Sequence, residues 1–246
     1  MPYNTFVING TAMGTLAQIE AGRKAKYDGH AKEKTLAKLR TEETGIQYYT
    51  DGAQNTKIDV YAGDRENPIN PESQKSPSGK NTQVALYPVK NWCTFHGHDP
   101  EWYYQFFGQP NTGRAGRKNR SQIDESLNQE ALDRFNTMNW FDSVVVSGIY
   151  AVNGVPTAGE PVVRVTWFNK KLGKIEVSRT VEELRENIRG GKWIFSPKVN
   201  KRNSPLGEKT ATVLWYVDKN GKMLYHLQMK GSGSSPNNMQ FHIYKQ

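Results

Sequence analysis

The sequence predicts an α/β protein with a mixed central β-sheet and flanking helices. Segments with apolar residues three and four apart interleave along the chain with short runs of β-branched and aromatic residues. Turn signals such as Asp51-Gly52, Asn153-Gly154 and Asn220-Gly221 separate those runs. At 246 residues the chain is long enough to bury a sizeable core. It is read as a single domain over residues 1–246, with a core over about 12–92 and a β-rich part over about 140–246.

The elements follow in order. Residues 12–26 predict a helix, with Leu16 and Ile19 three apart and Arg23, Lys24 and Lys26 at its basic end. Asp28 offers an N-cap for a second helix over 30–40. Residues 44–50 read as a short strand, and 56–62 as a β-type run with Asp59 inside it. Pro68 and Pro71 predict that any strand carrying Lys75 is short. Residues 83–89 are apolar enough for a strand or a helix. The aromatic stretch 92–108 reads as a packed loop with solvent-facing His96 and His98. Leu127, Ala131, Leu132 and Phe135 predict a helix over 123–137.

From Asp142 the character is β-rich, with strands expected over 144–146, 149–152, 162–168 and 174–177. Thr180 with Glu183 three residues later forms a capping-box pattern, and Gly190-Gly191 ends that helix. A strand at 193–195 precedes a basic, loop-like segment, 196–209. The chain then predicts a hairpin, 211–217 with 223–229, a polar loop over 230–238, and a last strand over 239–244.

Lys and Arg number 33 against 24 Asp and Glu, a net charge of +9, which favours a polyanionic partner. No run approaches eighteen apolar residues, and the opening MPYNTFVINGTAMG lacks a basic region followed by an apolar one. Neither a transmembrane span nor a signal peptide is expected, and no membrane partner. The single Cys93 excludes an intramolecular disulfide framework and a multi-cysteine zinc site, and points to a reducing, cytoplasmic setting.

The stretch 51–84, DGAQNTKIDVYAGDRENPINPESQKSPSGKNTQV, carries the chemistry. An acid on one strand and a lysine on the next can hold a divalent metal and a water beside a phosphate. The metal acidifies the water, and the lysine stabilises the developing oxyanion. Asp59, Ser73-Gln74-Lys75 and Asn81-Thr82-Gln83-Val84 fit that arrangement. The run resembles the PD-(D/E)xK core of restriction-endonuclease-like nucleases, in a variant reading KxDV, SxK and NTQV, across residues 28–90. Here Ser73 stands where the usual acid precedes the lysine by two.

That resemblance implies a Mg²⁺-dependent endonuclease acting on double-stranded DNA, like a type II restriction enzyme or a phage-type relative, commonly a homodimer. Asp59 would bind the metal and Lys75 would stabilise the attacking water. Glu72, or Glu33 from the Gly29-His30-Ala31-Lys32-Glu33 helix pattern, would complete the catalytic and metal-binding set. Gln83 would contact DNA. The glycine-rich basic loop 109–122, with Arg114, Arg117, Lys118 and Arg120, can follow a phosphate backbone. Lys230 and Ser234 suit phosphates, and Asn237 and Asn238 suit adenine edges or a turn.

A second D…(E/Q)xK spacing, formed by Asp218, Gln228 and Lys230, places its acid at a hairpin turn, the wrong end for convergence with Gln228. The alternative is a non-enzymatic nucleic-acid-binding protein in which Asp59 is structural, and a third reading is a virion protein with a basic inner face.

Overall fold

The computed structural model describes residues 7–8, 11–12, 16–52, 57–77, 79–107, 123–196, 199–200, 209–210, 213–232 and 235–246. Strands of three residues or more are, in chain order, β1 (Tyr48–Thr50), β2 (Val60–Gly63), β3 (Pro68–Lys75), β4 (Asn81–Pro88), β5 (Ile149–Val152) and β6 (Val155–Ala158). They continue with β7 (Arg164–Asn169), β8 (Lys174–Thr180), β9 (Lys192–Phe195), β10 (Leu214–Val217), β11 (Met223–Ser232) and β12 (Ser235–Tyr244). The helices are α1 (Leu16–Thr44), α2 (Val89–His96), α3 (Pro100–Phe107), α4 (Glu125–Thr137) and α5 (Val181–Ile188), with a π-helical turn at Asp142–Val146.

The chain is mixed α/β, as expected, but its strands form two five-stranded sheets where one central sheet was expected. The first has the order β1-β2-β3-β7-β8. Within it β3 and β7 run parallel and every other pair antiparallel, so this sheet is mixed. The second, β9-β10-β11-β12-β4, is antiparallel throughout. A separate β5–β6 hairpin turns at Asn153 and Gly154.

Helix α1 runs unbroken for 29 residues where two helices were expected. Asp28 and Gly29 lie inside it. A glycine in a helix costs only about 1 kcal/mol relative to alanine, and the Ala, Lys, Glu and Leu residues around it are strong helix formers. Its C-terminal half carries the packing, with Leu36 and Ala37 buried against Tyr48, Val60 and Ala62. Arg40, one turn further on, is also buried. These contacts place α1 over one face of the first sheet. The other face, through Tyr61, Val165 and Trp167, joins a larger core with the inner face of the second sheet, α2, α3, α4 and the π-helical turn.

Other expectations need correcting. Strand β3 is eight residues long despite its prolines. Pro68 opens it. Pro71 sits where the β2–β3 register shifts, beside Asn70 at φ 51°, and its carbonyl accepts from Val163 N at 2.8 Å. The bulge absorbs the missing donor. Residues 81–96 are both a strand and a helix, β4 running directly into α2 at Pro88.

The aromatic stretch forms α2 and α3, and His96 packs its ring on Trp92 at 4.2 Å. Residues 144–146 belong to the π-helical turn, where Val144, Val145 and Val146 are all buried. The loop expected over 230–238 is mostly ladder, with Lys230 opposite Asn238.

The Thr180–Glu183 capping box is present: Thr180 Oγ1 accepts from Glu183 N at 3.1 Å, and Glu183 Oε2 from Thr180 N at 2.7 Å. Asp218 holds the β10–β11 turn by accepting from Asn220 N and Lys222 N, each at 2.8 Å. Among the described residues no helix is long and apolar enough to cross a membrane.

Candidate functional site

Strand alternation decides which side chains of β2 and β3 meet. Val60 pairs with Glu72, and the ladder continues one step beyond β2, where Asp59 N donates to Glu72 O at 2.9 Å. Asp59 and Ser73 therefore stand side by side, on the face opposite Val60 and Glu72. Lys75 is two residues beyond Ser73 on the same strand and projects to the same side. Lys57 precedes Asp59 by two and does likewise.

The contacts bear this placement out. Ser73 Oγ donates to Asp59 Oδ2 at 3.2 Å and accepts from Lys75 Nζ at 2.8 Å, so the serine bridges acid and lysine. Asp59 Oδ2 also accepts from Gln74 N at 2.5 Å. These donors fix the carboxylate's orientation at the end of its strand. Serine thus fills the position that the resemblance gives to an acid.

Lys57 lies across from Lys75. It is 7 % exposed, and its ammonium donates to the Val84 carbonyl of β4. Burial holds its pKa well below the usual lysine value. The neighbouring charge of Lys75 pushes the same way, and Asp59 opposes both. The lysine stem packs beside Gly148, whose φ of 78° and missing side chain the site requires. A Cβ there would come within 3.1 Å of Lys57 Cγ and 3.0 Å of the Tyr150 ring. Burial raises the Tyr150 phenol pKa, with Asp59 and then Asp51 adding to the shift, so the hydroxyl remains a donor beside both carboxylates.

Together these groups line an open cleft of about 480 Å³ whose walls include Lys57, Asp59, Ser73, Lys75, Gln83 and Tyr150. Asn91 of α2 also reaches it. One carboxylate faces two lysine side chains in the cleft. A phosphate entering it would meet the Lys75 ammonium, the buried Lys57 amino group and the Tyr150 hydroxyl.

The chain matches no protein-family model and no curated protein.

The structure brings together Asp59, Lys75 and Gln83 of the residues singled out from sequence, and it separates the two remaining acids from them. Glu72 is 2 % exposed and lies on the opposite face. Arg40 Nε and Nη2 donate to its two oxygens at 3.0 and 3.1 Å, and Arg40 also reaches Thr166, Ser178 and Glu43. The β2–β3 bulge falls on the N-terminal side of Glu72 and does not turn it inward. Glu72 is therefore the acid of a buried ion pair, in place of the expected catalytic and metal-binding role.

Glu33 sits on the stripe of α1 that carries Ala37 and Arg40, and its carboxylate is taken by His30 Nδ1 at 2.9 Å. It is not brought to Asp59. Among the described residues no three His, Cys, Asp or Glu side chains are arranged to hold a metal. Mg²⁺ is usually held by one or two carboxylates together with substrate phosphates and water. Asp59 with a phosphate meets the lower limit of that requirement.

Arg114, Arg117, Lys118, Arg120 and Ser234 lie outside the described residues, as do the side chains of Lys230 and Asn237. Asn238 ends the β12–β4 ladder opposite Pro88. Gln83 does more than line the cleft: its Oε1 accepts from Gln240 at 2.6 Å, and Gln240 Oε1 accepts from Gln228 at 2.9 Å. This amide row crosses the second sheet from the cleft's edge.

Two cleft residues, Lys57 and Tyr150, and the nearby Asp51 are not singled out as site residues by the sequence. Lys57 could have been found from the Lys57-Ile58-Asp59 alternation, which puts it on the acid's face. Asp51 reads in sequence as a turn residue, but its N–H donates to the Asp59 carbonyl at 3.1 Å and its carboxylate is paired with Arg65. Tyr150 carries no sequence signal, because its approach depends on the π-helical turn and Gly148.

Proposed function

We propose that the protein is a metal-dependent endonuclease that hydrolyses DNA phosphodiesters in the Asp59 cleft. The observation that supports this reading is the convergence of Asp59, Ser73 and Lys75 on one sheet face, with Lys57 opposite, around an open anion-receptive cleft. Mg²⁺ bound at Asp59 would screen the phosphate charge and acidify a water. Ser73 and Gln74 N hold the Asp59 carboxylate in one orientation. Lys75, anchored on Ser73, offers positive charge where the pentacoordinate phosphorus centre develops negative charge, and the Lys57 amino group, anchored on Val84, offers a hydrogen-bond donor beside it. The attacking water would release a proton to solvent as its oxygen bonds to phosphorus, and the P–O bond to the sugar would break, the departing oxygen taking a proton from solvent. Sequence-specific action by a homodimer, as in type II restriction enzymes, belongs to the same proposal.

One observation favours a second reading. The cleft has two lysines for one carboxylate in direct contact with Ser73, a balance suited to binding a phosphate without cutting it. The discriminating experiment is incubation of plasmid and phage DNA with Mg²⁺ and, separately, with chelator. Discrete fragments formed only with Mg²⁺ match the nuclease. Retarded but intact DNA under both conditions would replace it with a nucleic-acid-binding protein.

A further inference from the structure

We propose that a lysine-lined groove beside the Asp59 cleft is a track for the phosphate backbone of DNA, an inference that rests on the nuclease reading. The groove, of about 830 Å³, is walled by the connection between β3 and β4, the β7–β8 turn, the start of β11 and the end of the chain. Five lysines line it: Lys80, Lys170, Lys171, Lys222 and Lys245. They come from four separate stretches of the chain, so the charge is assembled by the fold and is invisible as a run in the sequence.

The groove's acid, Glu176, is already occupied. Its Oε1 accepts from Asn169 at 2.6 Å, and its Oε2 lies 3.4 Å from Lys245 Nζ. Among the described residues Lys80, Lys170, Lys171 and Lys222 have no acidic partner within 4.0 Å. Four exposed ammonium groups gathered in one concavity repel one another, and a polyanion relieves that repulsion while releasing its own counterions.

The groove also adjoins the cleft. Lys75 and Gln83 line the cleft, and Pro77, Gly79 and Lys80 of the same connection line the groove. The linings of the two depressions thus approach each other along the chain at Lys75 and Pro77 and again at Lys80 and Gln83. A strand whose scissile phosphate sits between Lys57 and Lys75 would continue over this connection into the lysine groove. Tyr244, its hydroxyl 3.1 Å from His226 Nδ1, supplies a ring on the groove wall for the sugar.

The test compares wild type with a Lys80→Ala, Lys170→Ala, Lys171→Ala, Lys222→Ala variant. Fluorescence anisotropy with a labelled 30-base-pair duplex in EDTA is measured across a salt series. Each phosphate contact contributes about −0.9 to the slope of log affinity against log salt. The variant's slope should flatten by about 3 to 4, while single-turnover cleavage at saturating DNA stays within about twofold of wild type. The pairwise variants Lys80→Ala/Lys222→Ala and Lys170→Ala/Lys171→Ala should each remove about half of the effect. They stand in for the quadruple variant should it fail to fold.

An unchanged slope in a variant that unfolds at the wild-type midpoint would overturn the track and leave the nuclease reading intact. Wild-type protein that binds phosphatidylserine vesicles in preference to the duplex would overturn it in favour of a membrane surface. Wild-type protein that neither binds nor cuts DNA would remove the nuclease reading itself, and the track with it.

Discussion

Glu72 and Ser73 are consecutive residues that serve opposite faces of one strand. Glu72 turns toward α1 and is bound by Arg40, whereas Ser73 turns toward the cleft and bridges Asp59 and Lys75. The strand's two-residue period makes the first a stability element and the second a site element.

That division predicts how Glu72 variants fail. Removing one partner of a buried, hydrogen-bonded ion pair typically costs about 3–5 kcal/mol, because the other charge is left without compensation. Glu72→Ala should therefore lower the urea midpoint sharply while leaving cleavage by the folded fraction near wild type. Urea titration together with single-turnover cleavage at low temperature checks this. A variant of normal stability that no longer cleaves would return Glu72 to the active site.

The two lysines should behave differently from Glu72. Lys75→Ala and Lys57→Met each remove an amino group from the wall of the cleft without exposing an unpaired carboxylate of comparable burial. In the nuclease reading each acts where charge develops in the transition state. Each should lower the saturated single-turnover rate on the order of 10²-fold, with duplex affinity changed much less. Rates measured over a DNA titration separate the two quantities. An unchanged saturated rate with weakened affinity would make these lysines binding groups only.

A third prediction concerns acid stability. Burial, reinforced by nearby His98, lowers the His96 pKa from 6.5 to about 4. Between those values the unfolded chain takes up a proton that folded His96 does not, so stability rises with pH across this window and falls as pH drops from 6.5 toward 4. His96→Phe keeps a ring against Trp92, and Ser143 Oγ retains the Trp140 carbonyl as an acceptor. The variant should lose less stability than wild type between pH 7 and pH 4.5. Chemical denaturation at the two pH values measures this, and equal losses would contradict the assignment.

The parts of the site legible in the sequence were those set by strand period and local spacing. Asp59, Lys75 and Gln83 reach one cleft because alternation along β2 and β3, and the short connection to β4, leave few other arrangements. The Thr180–Glu183 cap and the Asn220-Gly221 turn were legible for the same local reason.

What was hidden depends on tertiary context. Asp28-Gly29 reads as a helix boundary until the packing of Leu36 and Ala37 on the sheet is known. The aromatic stretch 92–107 is divided at Gly97 to Asp99 into two helices of eight residues each, too short to show a clear helical period. The lysine groove gathers residues as far apart as Lys80 and Lys245. Glu72 and Glu33 were ligand candidates through the nuclease resemblance, and Arg40 and His30 claim them in the fold.

The central claim is that Asp59 is the acid on which metal-dependent DNA hydrolysis turns. The most direct test measures single-turnover cleavage of supercoiled plasmid by wild type and Asp59→Ala at saturating protein, with Mg²⁺ and with EDTA, alongside duplex affinity. Wild type is expected to cut only with Mg²⁺, and Asp59→Ala to bind DNA within a few-fold of wild type while cutting none. Folded Asp59→Ala that cleaves at the wild-type rate would contradict the assignment.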